Sequence, residues 1–268
     1  MKHLRIITRV LLAFVALYIV LSVSFYFFHD KIIFQPDKLA RDYTFQFDIP
    51  YEEYFIPVDP GIEVNALLFR TSQEPKGLVL YFHGNKDNLQ RWGNYATDFT
   101  TLGYDVLMTD YRGYGKSGGK PNEPDCYRDA HKVYDWVKSN HSYGGIAIVG
   151  RSLGSAVASE LAMSANPDVL ILETPFDELW GVVYPVFRPS LYFVSPRQQF
   201  SNANHLSGVR ARIIVIHGTD DWVVPLSSAE RLKPLLKPDD RFLVIEGAGH
   251  NNLSAFEAYH REIAWALK

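Results

Sequence analysis

Two apolar patterns alternate along the chain after residue 50. One consists of short runs in which nearly every residue is apolar, as expected of strands that are covered on both faces of a sheet. The other has helical periodicity and lies in Asn122–Ser139 and Ser227–Leu236. The short runs are Gly77–Phe82, Val106–Met108, Ile146–Val149, Val169–Leu172, Ile213–Ile216 and Phe242–Ile245. Strands that alternate with helices predict an α/β fold with a mostly parallel central sheet.

The longest apolar segment, Val10–Phe28, comes near the start and carries no charged residue. It is long enough to cross a bilayer and longer than the usual core of a signal peptide, so residues 1–28 are predicted to be a transmembrane anchor. A cleaved signal sequence is the alternative, because Ser22 and Ser24 offer small residues near a possible cleavage point. Lys2, Arg5 and Arg9 favour a cytoplasmic tail and an extracytoplasmic domain.

Residues 29–50 are interpreted as a connector, and residues 51–268 as one globular domain. The domain begins with two predicted strands, Tyr51–Val58 and Ile62–Arg70, around the turn Asp59-Pro60-Gly61. The 268 residues, 47% of them hydrophobic, can bury a large core. A net charge of −3 gives no reason to expect a nucleic-acid partner.

The strongest local motif joins the run Ile146–Val149 to a helix rich in small residues. Gly150-Arg151-Ser152-Leu153-Gly154 stands between them, with Ser152 at the apex. A serine in so tight a turn needs neighbours without side chains, so that strand and helix can approach each other closely. The pattern GxSxG between a predicted strand and a predicted helix is typical of a nucleophile elbow.

Further histidines, amides and carboxylates stand just after other predicted strands. In open α/β sheets, ligands bind beyond the carboxyl ends of the strands. His83-Gly84-Asn85, His217-Gly218-Thr219-Asp220-Asp221 and Gly247-Ala248-Gly249-His250 each come directly or almost directly after a run. Ser152, an acid and His250 therefore appear in the order that an α/β-hydrolase requires. Ser152 needs a base to take its proton, and His250 can do so and later protonate the leaving group.

From about residue 50 onward the sequence resembles the α/β-hydrolase superfamily. Asp110–Pro121, GRSLGS, Glu173–Phe176, HGTDDWVVP and GAGH carry the resemblance to membrane-tethered serine hydrolases with serine aminopeptidase-like domains. That group is similar to acyl-protein thioesterases and to monoacylglycerol and lysophospholipid lipases. The resemblance implies an α/β-hydrolase fold with a small cap between its strands 6 and 7.

The resemblance also assigns roles within the site. The pattern HGxxDxxVP puts the acid on Asp221, one residue after Asp220. The two backbone donors of an oxyanion hole are expected at Asn85 and Leu153, and His83 and His217 are expected to shape loops.

Forty residues separate Glu173 from Ile213, too many for one crossover helix, and the cap is placed at about 176–208. Its aromatic residues suit acyl chains, although they could equally pack the cap onto the core. These residues are Phe176, Trp180, Tyr184, Phe187, Tyr192, Phe193 and Phe200. Arg151 could meet an anionic head group or face solvent.

Several other site types are not expected. Gly113–Gly118 spells GxGxxG, but Gly119, Lys120 and Pro121 follow it, so no helix N-terminus is offered to a dinucleotide. Cys126 is the single cysteine, and no HExxH or acidic calcium loop occurs, so neither a metal nor a cofactor is needed.

We therefore expect a membrane-anchored serine hydrolase that cleaves carboxylic esters or thioesters of lipid-like acyl substrates through an acyl-enzyme. Two alternatives stay open. The same triad attacks amides, so the chain could be an aminopeptidase-like serine peptidase. It could also be a non-catalytic scaffold that kept the fold.

Overall fold

A computed structural model describes residues 2–182 and 197–268. Its centre is an eight-stranded sheet with the strand order β10-β9-β8-β7-β4-β6-β3-β2. The six strands from β10 to β6 are parallel, and β3 and β2 complete the sheet as an antiparallel hairpin. The strands are β2 (Tyr51–Asp59), β3 (Ile62–Phe69), β4 (Leu78–Phe82), β6 (Asp105–Thr109), β7 (Ile146–Arg151), β8 (Val169–Glu173), β9 (Arg212–Gly218) and β10 (Arg241–Ile245). The predicted α/β-hydrolase fold with its mostly parallel sheet is confirmed.

A second sheet has two strands. It pairs β1 (Gln35–Pro36) with β5 (Lys86–Asp87) in parallel. This pairing fastens the segment after the N-terminal helix to the loop that follows β4.

Helices cover both faces of the main sheet. The helices of the described residues are α1 (Lys2–Ile33), α2 (Leu89–Trp92), α3 (Thr97–Thr100), α4 (Glu123–Asn140), α5 (Leu153–Ala165), α6 (Ala203–Leu206), α7 (Leu226–Glu230) and α8 (Glu257–Ala266), and most of α1 lies away from the sheet. The side chains of β4 alternate between two cores, with Leu78, Leu80 and Phe82 on the face of α4 and α5, and Val79 and Tyr81 on the opposite face. Burial on both faces explains why these strands are apolar throughout.

The predicted helix Asn122–Ser139 is confirmed as α4, whose N-terminus is capped by the Asn122 side chain. The prediction of one helix over Ser227–Leu236 is wrong. That segment splits into α7 and a short 3₁₀ turn, Lys233–Leu235. Pro234 has no N–H to donate to the carbonyl of Glu230, so an α-helix cannot continue through it.

Helix α1 is long and apolar enough to cross a membrane, by its length and composition. Most of it extends away from the domain with exposed side chains, but Phe25, His29 and Ile33 are buried. The helix thus continues past residue 28 into the range interpreted from sequence as a connector.

Candidate active site

Ser152 occupies a strained turn between β7 and α5. Its φ of +52° and ψ of −117° are unusual for a residue with a side chain, which is typical of a nucleophile elbow. The Ser152 N–H donates to the carbonyl of Glu173 at 2.9 Å, and its own carbonyl accepts hydrogen bonds from Ser155 N and Oγ. The strain is therefore held by hydrogen bonds on both sides of the turn.

The glycines on either side of Ser152 are needed for close packing, as the sequence predicted. A Cβ on Gly154 would lie 2.1 Å from the carbonyl oxygen of Phe82, and a Cβ on Gly150 would lie 2.3 Å from that of Gly154. Real Cβ atoms do not approach backbone oxygens so closely. Glycine thus lets α5 rest directly on β4 and β7 and keeps Ser152 at the carboxyl end of the sheet.

The candidate acid and the candidate base are paired. Asp221 Oδ2 accepts a hydrogen bond from His250 Nδ1 at 2.7 Å, while its Oδ1 accepts from Val223 N and Val224 N at 2.9 and 2.8 Å. Asp220, in contrast, is exposed. Burial alone would raise the pKa of Asp221, but the hydrogen bonds from His250 and Val224 outweigh it and hold the pKa below its ordinary value. Asp221 is therefore an anion suited to orienting His250 through Nδ1.

Ser152 and His250 are not joined by a hydrogen bond in the described part of the chain. Their backbones are nevertheless linked, because Arg151, the residue before Ser152, donates from Nη2 to the backbone carbonyl of His250 at 2.8 Å. Asp221 engages Nδ1 of His250, and Nε2 makes no hydrogen bond to another described residue. Catalytic hydrogen bonds are often long before substrate binds and tighten in the substrate complex.

Arg151 is buried, with 1% of its surface exposed, so neither interpretation of it from sequence is correct. Its guanidinium lies 3.8 Å from the buried carboxylate of Glu173 and 4.5 Å from the centre of the Tyr95 ring. Glu173 also accepts hydrogen bonds from the hydroxyls of Tyr81 and Tyr259. This buried network ties the loop that carries His250 to the end of β7, directly before Ser152.

Asn85 and Leu153, whose backbone amides the resemblance implied as an oxyanion hole, line the same pocket as Ser152. Leu153 is the first residue of α5, where backbone N–H groups have no intrahelical acceptor. Neither amide donates a hydrogen bond to another described residue. Asn85 is held elsewhere: its Nδ2 donates to the carbonyl of Ile33 at 2.7 Å, and its carbonyl accepts from the Tyr114 hydroxyl. The oxyanion hole at Asn85 and Leu153 stays a prediction.

A mainly apolar pocket lies at Ser152. Its walls are Ile32, Ile33, Asn85, Ser152, Leu153, Phe176, Leu179, Val182, Val223 and Val224. The end of α1 and the loop after Asp221 thus line the pocket, which the sequence did not indicate. Contacts of this kind join residues far apart in the chain and leave no local pattern.

The aromatic residues predicted to line a cap divide into three groups. Phe176 lines the pocket. Trp180 packs against Phe25 and His29, and Phe200 packs against Phe34 and Tyr127, as the alternative of structural packing implied. Tyr184, Phe187, Tyr192 and Phe193 lie outside the described residues.

The two histidines at other strand ends make structural contacts. His83 is fully buried, hydrogen-bonded to the carbonyl of Gly84 and stacked on Trp92. His217 is also buried, hydrogen-bonded to the carbonyl of Gly218, and burial lowers its pKa. Neither lines the pocket, and no cluster that could hold a metal ion occurs in residues 2–182 and 197–268.

Comparison with known sequences gives matches over most of the domain. The profile of the family described as "Serine aminopeptidase, S33" matches residues 73–195. An uncharacterized protein of Mycobacterium tuberculosis, Rv2307c, is 33% identical over 202 residues, which cover 74% of this chain and 71% of that protein. Lysophosphatidylserine lipase ABHD12 of Bos taurus is 32% identical over 188 residues, 62% of this chain but only 46% of the lipase. The human α/β-hydrolase domain-containing protein 17B is 27% identical over 208 residues, covering 74% and 69% of the two chains.

Solved structures show the same fold at lower sequence identity. The esterase Pf2001 of Pyrococcus furiosus superposes with a TM-score of 0.68 at 18% identity, over 88% of this chain and 97% of the esterase. The acylaminoacyl peptidase of Pyrococcus horikoshii gives a TM-score of 0.59 at 15% identity, over 80% of this chain and 39% of the peptidase. At these identities the likeness concerns the fold alone.

Proposed function

Because the chain belongs to the α/β-hydrolase superfamily, we propose that it is a serine hydrolase of carboxylic esters or thioesters with lipid-like acyl groups. The observation that carries the proposal is the Asp221–His250 pair, whose histidine carbonyl is bonded by Arg151, the residue that precedes a serine in a strained elbow. Ser152 is the proposed nucleophile, His250 the base and Asp221 the orienting acid.

The first half of the reaction forms an acyl-enzyme. Ser152 Oγ attacks the carbonyl carbon of the substrate while its proton passes to His250 Nε2, and Asp221 stabilises the resulting imidazolium. The carbonyl electron pair moves onto oxygen, where the amides of Asn85 and Leu153 can donate to it. One such donor typically contributes about 3–4 kcal/mol to transition-state binding. The intermediate then expels an alcohol or thiol, which takes the proton from Nε2.

The second half releases the acid. Nε2 accepts a proton from a water molecule, whose oxygen attacks the acyl carbon. The new tetrahedral intermediate collapses, the carboxylic acid leaves, and Ser152 recovers its proton from His250. The resident groups are sufficient for both halves, so no cofactor is part of the proposal.

The substrate class rests on the pocket. Apart from Asn85 and Ser152, its walls are aliphatic or aromatic, so they favour an acyl chain over a charged peptide terminus. The name lysophosphatidylserine lipase, carried by one relative, is consistent with a lipid substrate, although this chain spans less than half of that protein.

Membrane attachment is also part of the proposal. Residues 1–28 would anchor the chain by a single pass, residues 29–50 would connect it, and residues 51–268 would form the catalytic domain with a cap at about 176–208. The basic residues Lys2, Arg5 and Arg9 support a cytoplasmic N-terminus and an extracytoplasmic domain.

A peptidase is the second candidate, supported by the name of the matching family, serine aminopeptidase. Turnover of p-nitrophenyl esters of graded chain length, compared with that of aminoacyl anilides, separates the two. We expect esters of medium or long chains to be the better substrates. Faster cleavage of the anilides would favour the peptidase, and no activity on either panel would favour a non-catalytic scaffold.

The proposal is tested by covalent labelling of the full-length protein with a fluorophosphonate. We expect stoichiometric labelling and ester turnover in the native protein, and loss of both in Ser152→Ala. Ser164→Ala is the matched control, because Ser164 lies exposed at the far end of the same helix. Labelling that survives in Ser152→Ala at native level would overturn the assignment of the nucleophile.

A further inference from the structure

An exposed tryptophan stands next to the candidate acid. Trp222 has 92% of its surface exposed, and its neighbour Val223 has 55%. Large apolar side chains so fully exposed cost free energy in water, and tryptophan is enriched where proteins meet the headgroup region of a bilayer. The position of this pair in the fold therefore needs an explanation.

The backbone of this loop is fixed. The Asp221 carboxylate accepts hydrogen bonds from Val223 N and Val224 N, and Val224 is buried. The loop thus presents Trp222 outward from a rigid base, so little conformational entropy is lost when the side chain binds a surface.

The loop borders the same pocket as the end of the apolar N-terminal helix. Val223 and Val224 line the pocket at Ser152 together with Ile32 and Ile33 of α1. Just before these isoleucines, Phe27 and Phe28 are 65% and 56% exposed, and Lys31 follows them. The proposed membrane anchor thus leads within a few residues to the two isoleucines that line the pocket, and Val223 and Val224 of the Asp221–Val224 loop line the same pocket.

We propose that the Asp221–Val224 loop docks on the bilayer that α1 spans, with Trp222 in the headgroup region and the rim of the pocket facing the lipid. The acyl chain of the substrate then enters the pocket between α1 and the loop without crossing water. This inference rests on the membrane anchor in the proposed function. Because α1 tethers the domain, the loop meets the bilayer at a high effective concentration, and one exposed tryptophan is enough to set the domain's orientation.

Lipid contact of Trp222 can be measured directly. The full-length protein is reconstituted in phosphatidylcholine vesicles with and without brominated acyl chains, which quench nearby tryptophans. Brominated lipid should quench part of the tryptophan emission of the native protein, and we expect Trp222→Phe to lose a large part of this lipid-sensitive emission. Trp265→Phe is the control and should retain it, because Trp265 packs between Arg212 and Arg241 against the core on the sheet face that carries Val79 and Tyr81.

Activity gives a second readout that does not depend on fluorescence. Trp222→Ser should lower turnover of a monoacylglycerol embedded in vesicles about 10-fold, as expected from the loss of about 1.4 kcal/mol of interfacial binding. Turnover of the soluble ester p-nitrophenyl acetate should stay within about 2-fold, because the side chain of Trp222 does not line the pocket. Val244→Ser is the control, because it also replaces an exposed apolar side chain, on β10. It should leave turnover of both substrates unchanged.

Several outcomes would overturn the inference. Equal quenching in Trp222→Phe and the native protein would show that the loop does not touch lipid. If the emission of Trp222 shifted with protein concentration in detergent, a second copy of the chain would be its partner instead. An equal loss on both substrates would assign Trp222 a structural role at Asp221.

Two further outcomes separate this inference from the proposed function. A protein that does not float with vesicles would contradict both the membrane anchor and the docking. Lipid contact without any ester turnover would support docking and contradict only the hydrolase proposal.

Discussion

At the scale of single residues, the candidate acid is distinguished by its surroundings. Asp221 and Asp220 are adjacent, yet only Asp221 is buried and bonded to His250 Nδ1 and to two backbone amides. Asp220 is exposed and accepts a hydrogen bond from the Thr219 hydroxyl. A carboxylate that is buried and fully hydrogen-bonded keeps its charge and its position, which is what orienting a histidine requires.

Replacing each aspartate by asparagine tests this difference. Asp221→Asn keeps the shape of the side chain but places a neutral amide against His250 Nδ1. We therefore expect turnover to fall by about 10⁴-fold, as when a triad acid is lost. Asp220→Asn should stay within about 3-fold. The measurement is kcat and KM on a short soluble ester for both variants. Comparable losses in the two variants would contradict the assignment of Asp221.

At the scale of elements, the site depends on the contact of α5 with β4. The strained Ser152 turn exists because Gly154 lets the helix approach the carbonyl of Phe82. Leu153 is the first residue of that helix, and its amide donates no hydrogen bond to another described residue. The packing of these two elements therefore shapes both the turn of the candidate nucleophile and the position of one candidate oxyanion donor.

Gly154→Ala tests this contact. The added methyl group would lie 2.1 Å from a backbone oxygen, so β4 and α5 must separate, and we expect a loss of at least about 3 kcal/mol in the free energy of unfolding. Gly144→Ala is the control, because its Cβ would meet nothing closer than 3.8 Å, and it should change stability by less than about 0.5 kcal/mol. Denaturant unfolding measures both. Native stability and labelling in Gly154→Ala would show that the close contact is not required.

At the scale of the whole molecule, local signals predicted more of the site than of its surroundings. Each apolar run and the chemical group that follows it lie within a few residues of each other, so the α/β fold and the candidates Ser152 and His250 could be predicted from local sequence, whereas the choice of Asp221 needed the family resemblance. The interior place of Arg151 could not, since its partner His250 is 99 residues away. The pocket walls from α1 were missed for the same reason: Ile33 and Asn85, which bond to each other, are 52 residues apart.

The contact between α1 and the domain therefore has consequences for the site. Phe25 is 6% exposed and packs against Trp180, next to the buried His29. Beyond them, Asp30 pairs with Arg197 at 2.8 Å and accepts from Gln198. These contacts hold Ile33 where its carbonyl accepts the Asn85 side chain, so the seating of the helix positions one candidate oxyanion donor.

Two phenylalanines of α1 allow this coupling to be tested. Phe25→Ala removes a buried ring, and we expect it to weaken the seating of the helix by about 2 kcal/mol, which corresponds to roughly 30-fold faster hydrogen exchange around residues 34–37 and 85–88. Ester turnover should fall in parallel, because Asn85 loses its fixed position. Phe27→Ala, which truncates a ring that is 65% exposed on the same helix, should leave both exchange and turnover of a soluble ester near native. If the two variants gave the same exchange at residues 85–88, α1 would be an anchor only, without a part in shaping the site.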